Sequence, residues 1–125
     1  MIDISLAYIG SVAITIWGVA HIVPTRSVVA GFGELSDDNR RILIMEWVAE
    51  GLALCFVGVF AFLVAIFLGT DGFGAKLIYR ALGAFLLLMA FWTLITGART
   101  ANAVFRICPI VKGSVAVLFF IASAI

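Results

Sequence analysis

A chain of 125 residues that is 65% hydrophobic, 12% charged and of net charge +1 lies far from soluble domains, which average about 45–50% apolar. Its mean hydropathy of +1.26 suits lipid, and so small a net charge supplies no field to hold nucleic acid. Two cysteines, Cys55 and Cys108, are too few for a disulfide scaffold or a cysteine metal motif, and Cys55 reads as a small core residue.

Four apolar segments follow in order. Met1-Ile2-Asp3 lacks the basic start of a secretory signal, so the first segment, Ile4 to Val23, is expected to be retained. Asp3 suits its N-cap, and Pro24 stops it by removing a donor from the hydrogen-bond ladder. A polar loop with Gly31 and Gly33 leads to Ser36-Asp37-Asp38, which caps the next helix with acids at the positive end of its dipole. That segment, Ile42 to Leu68, is about 27 residues and ~40 Å long, more than the ~30 Å core of a bilayer. It ends at Gly69, in a turn rich in glycine.

The third segment runs from Ala75 to Thr96 and stops at Gly97. For the last, Pro109 at the first helical position starts a helix in which its missing N–H costs little. Pro109 to Ile125 then spans ~25 Å, enough if the bilayer thins or Lys112 snorkels outward. Ala98 to Ile107 would lie along the interface, with Arg26, Arg99, Arg106 and Lys112 contacting lipid headgroups. The alternative is one long helix from Ala101, with Arg106 and Lys112 turned into a bundle. The fold class is therefore an all-α membrane protein, a four-transmembrane-helix bundle with short loops and antiparallel neighbours.

Arg26, Arg40, Arg41, Arg99, Arg106 and Lys112 fall on one side of this arrangement, and only Lys76 and Arg80 on the other. The positive-inside rule then puts the first and third loops in the cytoplasm and both termini outside, in an inner or plasma membrane. Trp17, Trp47 and Trp92 each lie near the cytoplasmic end of their helix, as pocket aromatics or an interfacial belt. Ala7, Ser11, Gly18 and His21 share one side of the first helix, and Gly51 and Gly58 one side of the second. Such small-residue faces let helices approach closely in lipid.

The chemistry-bearing residues are His21, Glu46 and Glu50. The two acids are four apart and share a helix face. An acid at mid-bilayer costs about 3 kcal/mol even on lenient scales, so both are expected to face the bundle interior or water. One reading is a proton-linked or cation-binding site. The other is that Glu46 snorkels or pairs with Arg40 or Arg41, while Glu50 is protonated or pairs with a base from the third loop. His21, the single histidine, lies near the same depth, where a helix C-terminus and a carboxylate would both favour its cationic form. Two acids and one histidine form no metal-ligand motif, and no nucleophile–base arrangement or phosphate loop is present. Thr93, Thr96, Thr100 and Asn102 could line a polar pocket.

The first helix ends Gly18-Val19-Ala20-His21-Ile22-Val23-Pro24. After the loop, the second carries an acid followed by Gly51-Leu52-Ala53-Leu54 and Gly58. Over roughly the first half of the chain this resembles the DoxX-like small four-helix membrane proteins. In those, a glycine and a basic residue three further on precede an acid and a glycine-rich apolar run. His21 fills the basic position here, two acids stand where one is usual, and the loop is longer. The resemblance implies association with membrane oxidoreductases or quinone-linked respiratory machinery, with no catalytic residues of its own.

Three functions are in play. An accessory, non-catalytic subunit of a membrane complex ranks first. Second comes a lipid- or quinone-binding enzyme using His21 and Glu50 as proton donor and acceptor beside Trp17 and Trp47. An oligomeric, proton-coupled carrier ranks third. The expected partners are the bilayer, other membrane subunits or further copies of the chain; composition and spacing name no cofactor.

Overall fold

The computed structural model describes residues 1–124 and is helical almost throughout. The elements are α1 (Ile2–Ile22), α2 (Thr25–Ala30), α3 (Asp37–Leu68), α4 (Phe73–Ile95), a short 3-10 turn (Gly97–Arg99) and α5 (Ala103–Ala124). All but α2 and the 3-10 turn are long and apolar enough to cross a membrane. The protein is a multi-pass, all-α membrane protein built as a four-helix bundle.

The helix ends follow local chemistry. Ser36 adopts an extended conformation, and its hydroxyl accepts the Asn39 N–H at 3.2 Å, so α3 begins at Asp37, with two acids in its first turn. Its 32 residues reach ~48 Å, so the polar first turns extend beyond the apolar stretch from Ile42. Met1, not Asp3, holds the N-cap of α1. Asp3 sits in the first turn, where its carboxylate accepts from the hydroxyl of buried Thr70 and ties α1 to the α3–α4 turn. The loop after Pro24 holds α2, a helix the sequence did not announce; Pro24 occupies its N-cap and Val29 is buried.

α5 departs furthest from expectation. It begins at Ala103, not Pro109, so Pro109 lies inside the helix and residues 103–107 are helical, with only the turn before them resembling an interfacial link. Asn102 accepts the Val104 N–H at 3.0 Å and starts the helix where its first orphan donors need a partner. Pro109 is buried among other α5 residues facing the bundle. The expected end of this span at Ile125 lies outside the described residues.

α1 packs along α3, α4 along α5, and α1 against α5 joins the two pairs. The close approach of α1 and α3 requires glycine at Gly18 and Gly58. A Cβ on Gly18 would stand 2.8 Å from both the Cys55 nitrogen and the Gly51 oxygen, and one on Gly58 would stand 2.6 Å from the Ser11 oxygen. These are the small-residue faces the sequence picks out, now pressed together. α3 and α4, though joined by the shortest turn, barely touch. The core of Ile14, Leu54, Tyr79, Leu86 and Phe119 fills the bundle away from the basic loops. Toward those loops, α3 and α4 stand apart.

Candidate functional site

Each of the four long helices sends one polar side chain to the same place. His21 comes from the last turn of α1, Glu50 from α3, Thr93 from α4 and Lys112 from α5. The Lys112 ammonium donates to a Glu50 carboxylate oxygen (Oε1) and, at 2.9 Å, to the Thr93 hydroxyl. The Thr93 hydroxyl donates to the Met89 carbonyl at 2.9 Å, so its oxygen is free to accept from the lysine. Nε2 of His21 faces the other Glu50 oxygen (Oε2) at 3.7 Å, beyond hydrogen-bond reach.

Lys112 is the correction that reorganises the site. Of the two expectations for it, snorkelling to headgroups and turning into the bundle, the structure has the second: its side chain is 0% exposed and pairs with Glu50. Taking an ammonium out of water costs several kcal/mol, and only a close counter-ion with further hydrogen bonds offsets that. Glu50 and Thr93 supply both. Because α5 starts a turn and a half before Pro109, Lys112 lies on the face that also carries Cys108, Val115, Ala116 and Phe119, all buried.

Aromatic rings hold this cluster from one side. The His21 and Trp47 rings stack with centroids 4.0 Å apart and planes 15° from parallel. The Trp47 indole N–H donates to the His21 carbonyl at 2.8 Å. That carbonyl is one of the orphan acceptors at the end of α1, so Trp47 caps a helix and fixes an imidazole together. Phe105 meets Trp47 edge-on, centroids 5.5 Å apart. Trp17 donates to the Cys108 sulfur at 3.4 Å. Of the three tryptophans only Trp92, 65% exposed, has the outward setting of an interfacial belt.

In front of the cluster lies an open cleft of about 730 Å³, walled by α3 and α4 where they diverge. Glu50, Thr93 and His21 line its floor, Trp47 and Phe105 one side, and Glu46 and Trp92 also border it. Glu46 is exposed and makes no ion pair among the described residues, so neither Arg40 nor Arg41 takes it up. Behind the His21–Trp47 stack a second cavity, about 380 Å³, lies against α1, α2 and α5, bounded by Trp17, Pro24, Val28 and Ile107. Arg26, Arg99 and Arg106 are exposed and border neither cavity.

The structure thus brings together His21, Glu50 and Trp47, leaves Glu46 and Trp92 at the cleft, and adds Lys112 and Thr93 to the floor. His21 and Glu50 meet as a pair; no three His, Cys, Asp or Glu side chains among the described residues group closely enough to hold a metal. The fold and this site define a class: a four-span membrane protein whose interior ion pair backs an open, aromatic-walled cleft. Compared with known families, curated proteins and solved structures, the chain matches none.

Proposed function

We propose that the protein is an accessory membrane subunit that holds an amphiphile in the cleft between α3 and α4. The observation that carries this reading is the divergence of two adjacent helices over a polar floor. Helices in lipid associate through close packing, yet α3 and α4 leave about 730 Å³ open where Glu50 and Thr93 lie. Such a volume is of the size that takes a small molecule or a lipid head with its first carbons. Apolar walls would take a chain, and the floor would take the polar end.

Binding without turnover fits the side chains present. Glu50 and Thr93 are engaged in holding Lys112 within the bundle, and His21 is the one group of the floor without a hydrogen-bond partner. A membrane enzyme using that pair is the second reading, favoured by their 3.7 Å separation beside the cleft. The resemblance to DoxX-like proteins suggests membrane oxidoreductases of quinone-linked respiration as partners. The six bases of the first and third loops against two on the other side support a cleft in the cytoplasmic half of an inner or plasma membrane, with both termini outside.

Native mass spectrometry of the protein released from its own membrane tests this. A stoichiometric amphiphile is expected, and Ala49→Phe, on the cleft wall, should expel it. Wild-type protein that carries only bulk lipid, in the same amount as Ala49→Phe, would overturn the reading. Co-purifying subunits that survive in Ala49→Phe would separate the accessory role from the cleft.

A further inference from the structure

Resting on the amphiphile reading of the cleft, we infer that its floor selects a protonated primary amine as the polar end. Charge balance is the first argument. Two carboxylates, Glu46 and Glu50, border the cleft, and one cation, Lys112, stands behind them. The lysine is committed to Glu50, and Glu46 has no partner among the described residues. No arginine borders the cleft. His21 Nε2 is buried without a hydrogen-bond partner, a setting that penalises a charged ring, so with His21 uncharged the carboxylates at the site outnumber the cation by one beside a low-dielectric interior. An anionic head would add a second and is disfavoured by the same Coulomb repulsion. A single positive charge brings the sum to zero.

Hydrogen-bonding capacity is the second argument, and it uses the same uncharged imidazole. The His21 side chain is more than nine-tenths buried and lines the cleft, and its Nε2 has no hydrogen-bond partner. Oε2 of Glu50, 3.7 Å away, accepts from nothing among the described residues. In the Nδ1–H tautomer, the one that a donor seated between the two atoms would select, Nε2 and Oε2 are two adjacent acceptors. A buried polar atom left unpaired costs about 1–3 kcal/mol, so a group with several N–H bonds is the one that gains most there. A primary ammonium has three.

Four probes with the same twelve-carbon chain separate these arguments: dodecylamine, dodecyltrimethylammonium, dodecanol and dodecanoate, each brominated near the head. Binding to the protein in phosphatidylcholine nanodiscs is read by quenching of tryptophan fluorescence, with Trp47 and Trp92 as reporters. The amine should bind at least tenfold more tightly than the alcohol, which lacks the charge, and than the quaternary ammonium, which lacks the donors. The carboxylate should not compete. Glu46→Gln removes a charge with no partner to lose, so it folds, and it should erase most of the margin of amine over alcohol. Tyr79→Phe, remote from the cleft, should leave that margin unchanged.

Equal quenching by all four chains, or a carboxylate that outcompetes the amine, would overturn the head-group assignment. If that quenching still disappears in Ala49→Phe, the amphiphile reading survives without it. If no chain quenches beyond its level in Ala49→Phe, both fall.

Discussion

Glu50→Gln is the substitution on which the account of the interior rests. It removes the counter-ion of an ammonium that is wholly inaccessible, leaving Thr93 as the one described hydrogen-bond partner of Lys112. Breaking a buried ion pair by deleting one member costs about 3–5 kcal/mol in soluble proteins. The Glu50 side chain is 33% exposed to the cleft, so part of its interaction is already screened, and about 2–3 kcal/mol is the figure to expect. Lys112→Met should cost less, about 1–2 kcal/mol, because the carboxylate left behind can be wetted or protonated from the cleft. Joining the two changes removes both charges, and replacement of such pairs by apolar groups is often neutral. The double variant should therefore return to within about 1 kcal/mol of wild type, a coupling of about 2–4 kcal/mol. Unfolding in mixed micelles of increasing dodecyl sulfate content, followed by tryptophan fluorescence, gives all three values. Strict additivity of the single changes would mean that Lys112 and Glu50 are not paired, and the four-helix cluster would dissolve with them.

Three further outcomes follow from the packing, all measurable in the same micelles. Gly58→Ala and Gly18→Ala each press a methyl against backbone of the facing helix, and should lower stability by about 1–3 kcal/mol. Gly113→Ala, within α5 with nothing near its Cβ position, should instead raise it by about 0.5–1 kcal/mol; equal effects at the three sites would refute the close α1–α3 crossing. Trp47→Phe keeps a ring against His21 but leaves the His21 carbonyl without its indole donor, a loss of about 1 kcal/mol, and a value near zero would mean that water replaces the bond. Tyr79→Phe deletes the hydroxyl that donates to the Ala61 carbonyl at 3.1 Å in the core, costing about 1 kcal/mol, while amphiphile binding at the cleft stays unchanged.

The architecture was legible because lipid makes a coarse demand. Every backbone polar group of a spanning segment must be satisfied within it, so long apolar runs become helices whatever their detail. Ser36 as a cap, Gly69 as a stop, and the small faces of Gly18, Gly51 and Gly58 all read correctly from neighbours in the chain. What failed depended on partners far away in sequence. Pro109 suits a first helical position, which favoured the shorter helix over the alternative from Ala101, but α5 starts at Ala103 and runs through the proline, close to that alternative. That shift carried Lys112 from a headgroup position to the interior.

The pairing of Lys112 with Glu50 crosses from α5 to α3, and no local pattern records it. Two signals nonetheless stood in the sequence. Cys108, Lys112, Val115, Phe119 and Ala122 recur at three- and four-residue spacing, which is one face of a helix, and all five are buried. A lysine on that face needed an acid, and the apolar segments contain only Glu46 and Glu50. Depth chooses between them: the acid nearer the surface can keep its water, whereas the deeper one cannot. The acid that made Ile42 to Leu68 anomalous is thus the counter-charge that permits a lysine in the bundle. The acid that looked easier to explain, Glu46, is the one without a partner. An unpaired carboxylate beside an aromatic-walled cleft is where selection among ligands can act, since neutralising it disturbs nothing that holds the helices together.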